Sequence, residues 1–385
     1  MKTNYSSWSI LLLSVGLTFG QLSAQEAVKG EIRNTQFHTA YTPSFQNDGT
    51  DAPIKNVILM IGDGMGLAHL SAGMYSNHGQ LTITSLKTCG LVRTQSANNF
   101  ITDSAASGTA YATGQKTNNG TIGLDTIGNA LINMPEKLDK IGYISGIVTT
   151  DNLDGATPAA FFAHQQNRNM GKEIWKDISQ SKLTFFAAGS KELFKKQPQS
   201  TQKAIEKQFT ILNTPDIKIL KQSKKAGYLP EQSKTASINK NRGNFLPATT
   251  QMAIDYLNDK QAKGFFLMVE GARIDKSAHD NDFQAVVREV LDFDQAVEAA
   301  IRFAEKDGHT LVIITADHET GALSLGNGNM DTGNLKGTFV SKGHSPIMVP
   351  LFVYGPQSHY FSGVQENNDI HNKIYQLLSK SKNSN

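Results

Sequence analysis

Cysteine is almost absent from this chain. Cys89 is the single one in 385 residues, so no disulfide can form within the chain and the fold must rest on its packed core. Cys89 itself reads as a small buried residue rather than a nucleophile. Tryptophan is scarce too, with two residues, and charged residues make up only 18% of the chain. The formal net charge is +3. No dense Lys/Arg stripe with interleaved aromatics occurs, which argues against a nucleic-acid partner. Beyond the N-terminus no apolar run is long enough to cross a membrane, so no transmembrane segment is expected in the mature chain. Internal repeats are also lacking.

What is there begins with the N-terminus. Lys2 is the only charge in the first 24 residues, and residues 10–19 are largely apolar before Leu22-Ser23-Ala24. That pattern predicts a secretory signal peptide over 1–24, cleaved near Ala24, and a periplasmic or secreted protein. Residues 25–385 are then long enough for one large domain.

Five runs rich in Val, Ile, Leu and Phe follow, at 56–61, 144–149, 265–269, 310–315 and 350–354. Runs apolar on both faces suit the inner strands of a covered parallel sheet. Helical patterns alternate with them. The clearest is at 283–305, with Val286, Val290, Phe293, Val297, Ala300 and Ile301 at helical spacing. The expected fold is α/β: a three-layer α/β/α sandwich with a mostly parallel central sheet. Residues 171–245 have a different texture, rich in Lys, Gln and Ser, and predict a peripheral inserted cap.

In such sheets ligands gather at the carboxyl ends of the strands. Asp63, Glu270 and the pair Asp317-His318 each fall just after an apolar run. Thr157 follows another. Asp275 and His279 are four apart, so one helical face can present both to one ion. His344 follows a glycine that lets the backbone bend. Asp63, Thr157 and Glu270 form an all-oxygen set that suits magnesium better than zinc. Ser104 opens a small-residue segment that Gly114 would stop. There it could face an anion at a helix N-terminus, or simply cap the helix. Arg168 carries the planar fork that pairs with two phosphate oxygens. Asp280, Asp282, Asp292 and Asp294 read as solvated helix charges. Together these residues point to metal-assisted phosphate chemistry.

The motifs are Val-Ile-Leu-Met-Ile-Gly-Asp-Gly-Met-Gly at 57–66, Asp-Ser-Ala-Ala-Ser at 103–107, Ala-Thr-Pro-Ala-Ala at 156–160, Val-Glu-Gly-Ala-Arg-Ile-Asp-Lys at 269–276 and Thr-Ala-Asp-His-Glu-Thr-Gly at 315–321. In this order the chain resembles the alkaline phosphatase family from Asn56 to about Pro356. The resemblance implies a hydrolase of small phosphate monoesters with two zinc ions and one magnesium ion. Asp275, His279 and His344 would hold the first zinc. Asp317, His318, Asp63 and Ser104 would surround the second, and Asp63, Thr157 and Glu270 the magnesium. Ser104 would attack phosphorus and form a phosphoserine, which water then hydrolyses. Arg168 would hold two phosphate oxygens, with Asp103 and Lys276 assisting. Homodimers are common in the family.

One departure stands out. Members commonly place Asp or His directly before Ala-Thr-Pro. Here Gly155 holds that place, with Asp154 one residue earlier. A small backbone shift or a water is expected to fill the gap. Three other readings compete. A sulfatase is disfavoured because no Cys or Ser sits in a Cys/Ser-X-Pro-X-Arg setting. A phosphodiesterase of the same superfamily is disfavoured because the magnesium ligands and Lys276 are retained. A non-catalytic phosphate- or metal-binding protein would keep the ligands and lose the nucleophile, whereas Ser104 is present.

Overall fold

The apolar runs become strands at the heart of the molecule. The computed structural model describes residues 27–189 and 191–380, and the expected signal peptide lies outside them. In chain order the strands are β1 (Val28–Arg33), β2 (Asn56–Gly62), β3 (Thr88–Arg93), β4 (Ile144–Asn152), β5 (Leu183–Gly189), β6 (Thr210–Leu212), β7 (Ala226–Tyr228), β8 (Phe265–Gly271), β9 (Thr310–Thr315), β10 (Glu319–Thr320), β11 (Leu323–Asn329), β12 (Asn334–Phe339), β13 (His344–Ser345), β14 (Val349–Tyr354) and β15 (Gly363–Glu366).

Ten of them form one sheet in the order β15-β3-β14-β9-β2-β8-β4-β5-β7-β6. The pairings are parallel except those of β14, which runs antiparallel to both β3 and β9. β2, β5, β8 and β9 are buried along their whole length. That is why their sequences are continuous apolar runs rather than alternating ones.

Helices cover the sheet in two groups. Leu67–Ser76, Phe245–Asn258, Arg273–His279 and the 25-residue Phe283–Asp307 pack together. Ser104–Thr113, Met134–Asp139, Ala156–Ala159 and Asn367–Lys380 form the second group. The three-layer sandwich is as expected.

Residues 171–245 are not a cap laid over the sandwich. They supply β5, β7 and β6, which extend the main sheet at one edge through parallel pairing. The apolar seven-residue core of β5 is fully buried. The polar texture belongs to the helices between these strands, such as Gln199–Gln208, whose only buried residue is Ile205.

Two further expectations are corrected. Cys89 is exposed. It sits on β3 opposite Phe352 of β14, itself only half-buried. Asp292 and Asp294 are buried, not solvated. Asp292 accepts from Arg242 Nη2 at 2.6 Å. Asp294 accepts from the amides of Thr82 and Ile83 at 3.0 and 2.9 Å and faces His38 at 3.0 Å. Asp282 caps its helix through the Ala285 amide at 3.0 Å.

Candidate active site

The central strands deliver their acidic residues to one edge of the sheet. β2 pairs in register with β8 on one side and β9 on the other. Asp63, Glu270 and Asp317 therefore emerge side by side at the carboxyl ends. All three are buried. β10 pairs antiparallel with β13, with Thr320 opposite His344, and this short ladder brings His344 back to the cluster. The helix Arg273–His279 starts two residues after β8 and presents Asp275 and His279 to the same place.

Asp275, His279 and His344 converge, each offering one ligand atom within 4.8 Å of the others. Asp275 Oδ1 lies 3.3 Å from His279 Nε2 and 3.6 Å from His344 Nε2. The two Nε2 atoms are 3.2 Å apart. Each ring is anchored at its other nitrogen by a backbone carbonyl. His344 Nδ1 donates to Thr102 O at 2.9 Å, and His279 Nδ1 donates to Lys342 O. With each Nδ1 committed to a carbonyl, both Nε2 atoms face one another and the Asp275 carboxylate, an arrangement that fits a cation in place of the proton between them.

Asp63, Asp275 and His318 make a second convergent set. His318 Nε2 lies 3.5 Å from Asp63 Oδ1, 3.3 Å from Asp317 Oδ2 and 3.2 Å from Ser104 Oγ. Asp275 thus borders both sets. Asp317 turns its Oδ1 to the amides of Gly64 and His318, at 3.0 and 2.9 Å. Its Oδ2 has no hydrogen-bond partner, and neither have Asp63 Oδ1 and Thr157 Oγ1, although all three atoms are buried. Orphaned buried oxygens on facing residues are what a donor set for hard or borderline cations looks like.

The charges agree. Burial pushes the Asp63 carboxyl well up, helped by Asp317, Asp275 and Glu270 around it. Burial and then the neighbouring Asp151 push Glu270 up to about 8. Burial also raises Asp275, but the hydrogen bond from His279 and the three nearby imidazoles outweigh it and hold this carboxyl well below its usual range. The Asp275 hydrogen bond lifts His279 to about 9, while burial and His318 pull His344 down to about 4. Crowded carboxylates of this kind hold protons unless a cation takes their place.

Ser104 is the first residue of the helix Ser104–Thr113, which ends at Gly114 in the left-handed conformation, φ 80°. It is not the cap. Asp103 is: its Oδ1 accepts from the Ala106 amide at 3.0 Å. The Ser104 hydroxyl is left free to face His318. Asp103 has a second task, because its Oδ2 accepts from Arg168 Nη1 at 3.2 Å and from the Gly120 amide at 3.0 Å. The guanidinium is thereby tied to the residue that precedes the serine, while 36% of the Arg168 side chain stays exposed.

Glu270 accepts from Thr149 Oγ1, and Lys276 pairs with Asp151. Thr157 stands in the short helix Ala156–Ala159 against Gly108 of the serine helix. The structure thus brings together Asp63, Asp275, His279, Asp317, His318, His344 and Ser104, ties Arg168 to Asp103, and sets Lys276 and Glu270 on the neighbouring Asp151 and Thr149.

Three supporting residues escaped that reading. Thr320 Oγ1 donates to Asp275 and lies 3.2 Å from His318 Nδ1, so one hydroxyl orients a carboxylate and an imidazole. Tyr111 OH donates to Ala316 O at 2.9 Å and Ser107 Oγ to Asp317 O at 2.8 Å, pinning the turn after β9 to the serine helix. Thr320 and Ser107 stand inside the motifs, so the signal for them was present. Tyr111 had none.

The Alkaline phosphatase family model matches residues 54–206 and 227–338. The chain belongs to the alkaline phosphatase family. Alkaline phosphatases 4 and 3 of Bacillus subtilis are 37% and 35% identical to it over 71% and 72% of its length. The chain spans 63% and 64% of the length of those two relatives. The alkaline phosphatase of Escherichia coli is 28% identical over 86% of this chain and 87% of its own. Among solved structures, the alkaline phosphatase of the Antarctic bacterium TAB5 superposes with a TM-score of 0.80 at 37% identity, covering 85% of this chain and 99% of that one. A variant of that enzyme with magnesium bound in its M3 site matches as well, over 87% and 99%.

Proposed function

We propose that the chain is an exported, metal-dependent phosphomonoesterase working in two steps through Ser104. One observation carries the reading. A buried hydroxyl at a helix N-terminus, relieved of capping by Asp103, lies 3.2 Å from His318 Nε2, and the same Asp103 binds Arg168.

In the first step Ser104 Oγ forms a bond to phosphorus and the ester oxygen leaves. In the second, a water oxygen takes the place of Oγ, which returns as the hydroxyl while phosphate departs. Arg168 binds two non-bridging oxygens and the helix amides support the third. His279, His344 and Asp275 would hold one zinc. His318, Asp317 and Asp63 would hold a second, and Glu270, Thr157 and Asp63 a magnesium. When bound, such ions lower the pKa of a neighbouring hydroxyl and offset charge on the attacking and leaving oxygens. Export rests on the N-terminal sequence pattern.

Ser104→Ala tests the nucleophile. Turnover of an aryl phosphate monoester should fall about a thousandfold or more. Acid-quenched wild-type protein should carry phosphate on the Ser104 peptide and the variant none. Retained turnover in the variant sinks the assignment.

A further inference from the structure

Gly155 raises a question that its backbone does not answer. Its φ of -59° and ψ of 148° are open to any residue, so conformation does not demand glycine here. Space does. A Cβ on residue 155 would lie 2.5 Å from Asp151 Oδ2 and 3.0 Å from Asn152 O. The expected filling by a shift or a water is therefore replaced by a carboxylate from four residues earlier. Asp154 is not that group. Its carboxylate lies against Gly171, 2.9 Å from where a Cβ there would stand.

Asp151 ends two lines of contact. Its carboxylate pairs with Lys276. Its amide donates to Thr149 Oγ1 at 2.8 Å, and that hydroxyl donates in turn to Glu270. A single residue near the end of β4 thus touches the lysine through its carboxylate and, through its amide, the hydroxyl that donates to Glu270. We propose that Asp151 is the positioning residue of this side of the site, holding Lys276 in place and adding negative charge behind Glu270 from the space left by Gly155.

This inference rests on the phosphomonoesterase reading, so its test avoids turnover. Magnesium is titrated calorimetrically into the zinc-loaded protein, and inorganic phosphate into the fully loaded protein. Asp151→Asn, which keeps the shape and removes the charge, should weaken magnesium about tenfold. Asp151→Ala combined with Gly155→Asp should recover most of that loss, since the carboxylate returns to the same space. Lys276→Ala should weaken phosphate in the wild-type background and change little in Asp151→Ala, where the lysine is already untethered. Thermal melts establish that each variant is folded. Unchanged magnesium affinity in Asp151→Asn overturns the proposal. An equal effect of Lys276→Ala in both backgrounds does so as well. Failure of the phosphatase reading would show separately, as Ser104→Ala with full turnover.

Discussion

Two groups of buried carboxylates differ in what the chain gives them. Glu289 and Asp292 share Arg242, whose Nη2 donates to both at 2.5 and 2.6 Å while Nη1 donates to Ala236 O at 3.0 Å. Asp63, Glu270 and Asp317 are as deeply buried, yet no Lys or Arg pairs with them among the described residues. The nearest lysine, Lys276, is tied to Asp151. The first group is closed by a cation the sequence encodes. The second leaves Asp63 Oδ1 and Asp317 Oδ2 unpartnered, as a site for cations from outside would. Burying several carboxylates without a counter-charge costs several kcal/mol each, so the fold itself argues for metal.

Removing the outside cations should have the largest effect. Chelation should abolish turnover and lower the melting temperature, and zinc with magnesium should restore both. Metal at a thousandfold excess over its Kd contributes about 4 kcal/mol. A chelated protein with unchanged melting and turnover would break the comparison at its root.

Arg242→Ala tests the other side. It strands two buried carboxylates and should cost about 3–5 kcal/mol, read by denaturant unfolding at neutral pH. Turnover per folded molecule should persist, because Arg242 touches none of the site residues. A loss of turnover at full stability would mean that this ion group also serves the site.

Much of the site was legible because it obeys two local rules. Buried parallel strands read as apolar runs, and their carboxyl ends collect ligands, which places Asp63, Glu270 and Asp317 without any structure. The (i, i+4) pair of Asp275 and His279 is equally local. What escaped depends on partners distant in sequence. Asp292 looks like a surface helix charge until Arg242, fifty residues earlier, is folded onto it. Asp151 looks like a turn residue until Gly155 opens the space for it and Lys276 pairs with it. β5 was readable as an apolar run, but the polar helices around it dominated the texture of 171–245.

A third arrangement sharpens the comparison by reversing its sign. His371 is buried and faces a cation instead of an anion. Its Nε2 accepts from Lys137 Nζ at 2.7 Å and its Nδ1 donates to Tyr111 O at 3.1 Å. Lys137 also donates to Thr113 O at 3.0 Å. Burial and the Lys137 charge pull the ring down to about 3, so it stays neutral in the fold. The unfolded chain takes up this proton near pH 6.5 and the folded chain refuses it until about pH 3. Stability from this group is therefore complete above pH 6.5 and is lost as the pH falls towards 3. Between pH 6.5 and 5 the loss should be about 2 kcal/mol. His371→Gln, which keeps an acceptor and a donor but does not titrate, should flatten that part of the stability profile relative to wild type. If both proteins lose stability in parallel over this range, the acid sensitivity belongs to other groups, and the Lys137–His371 contact is a hydrogen bond without a titration behind it.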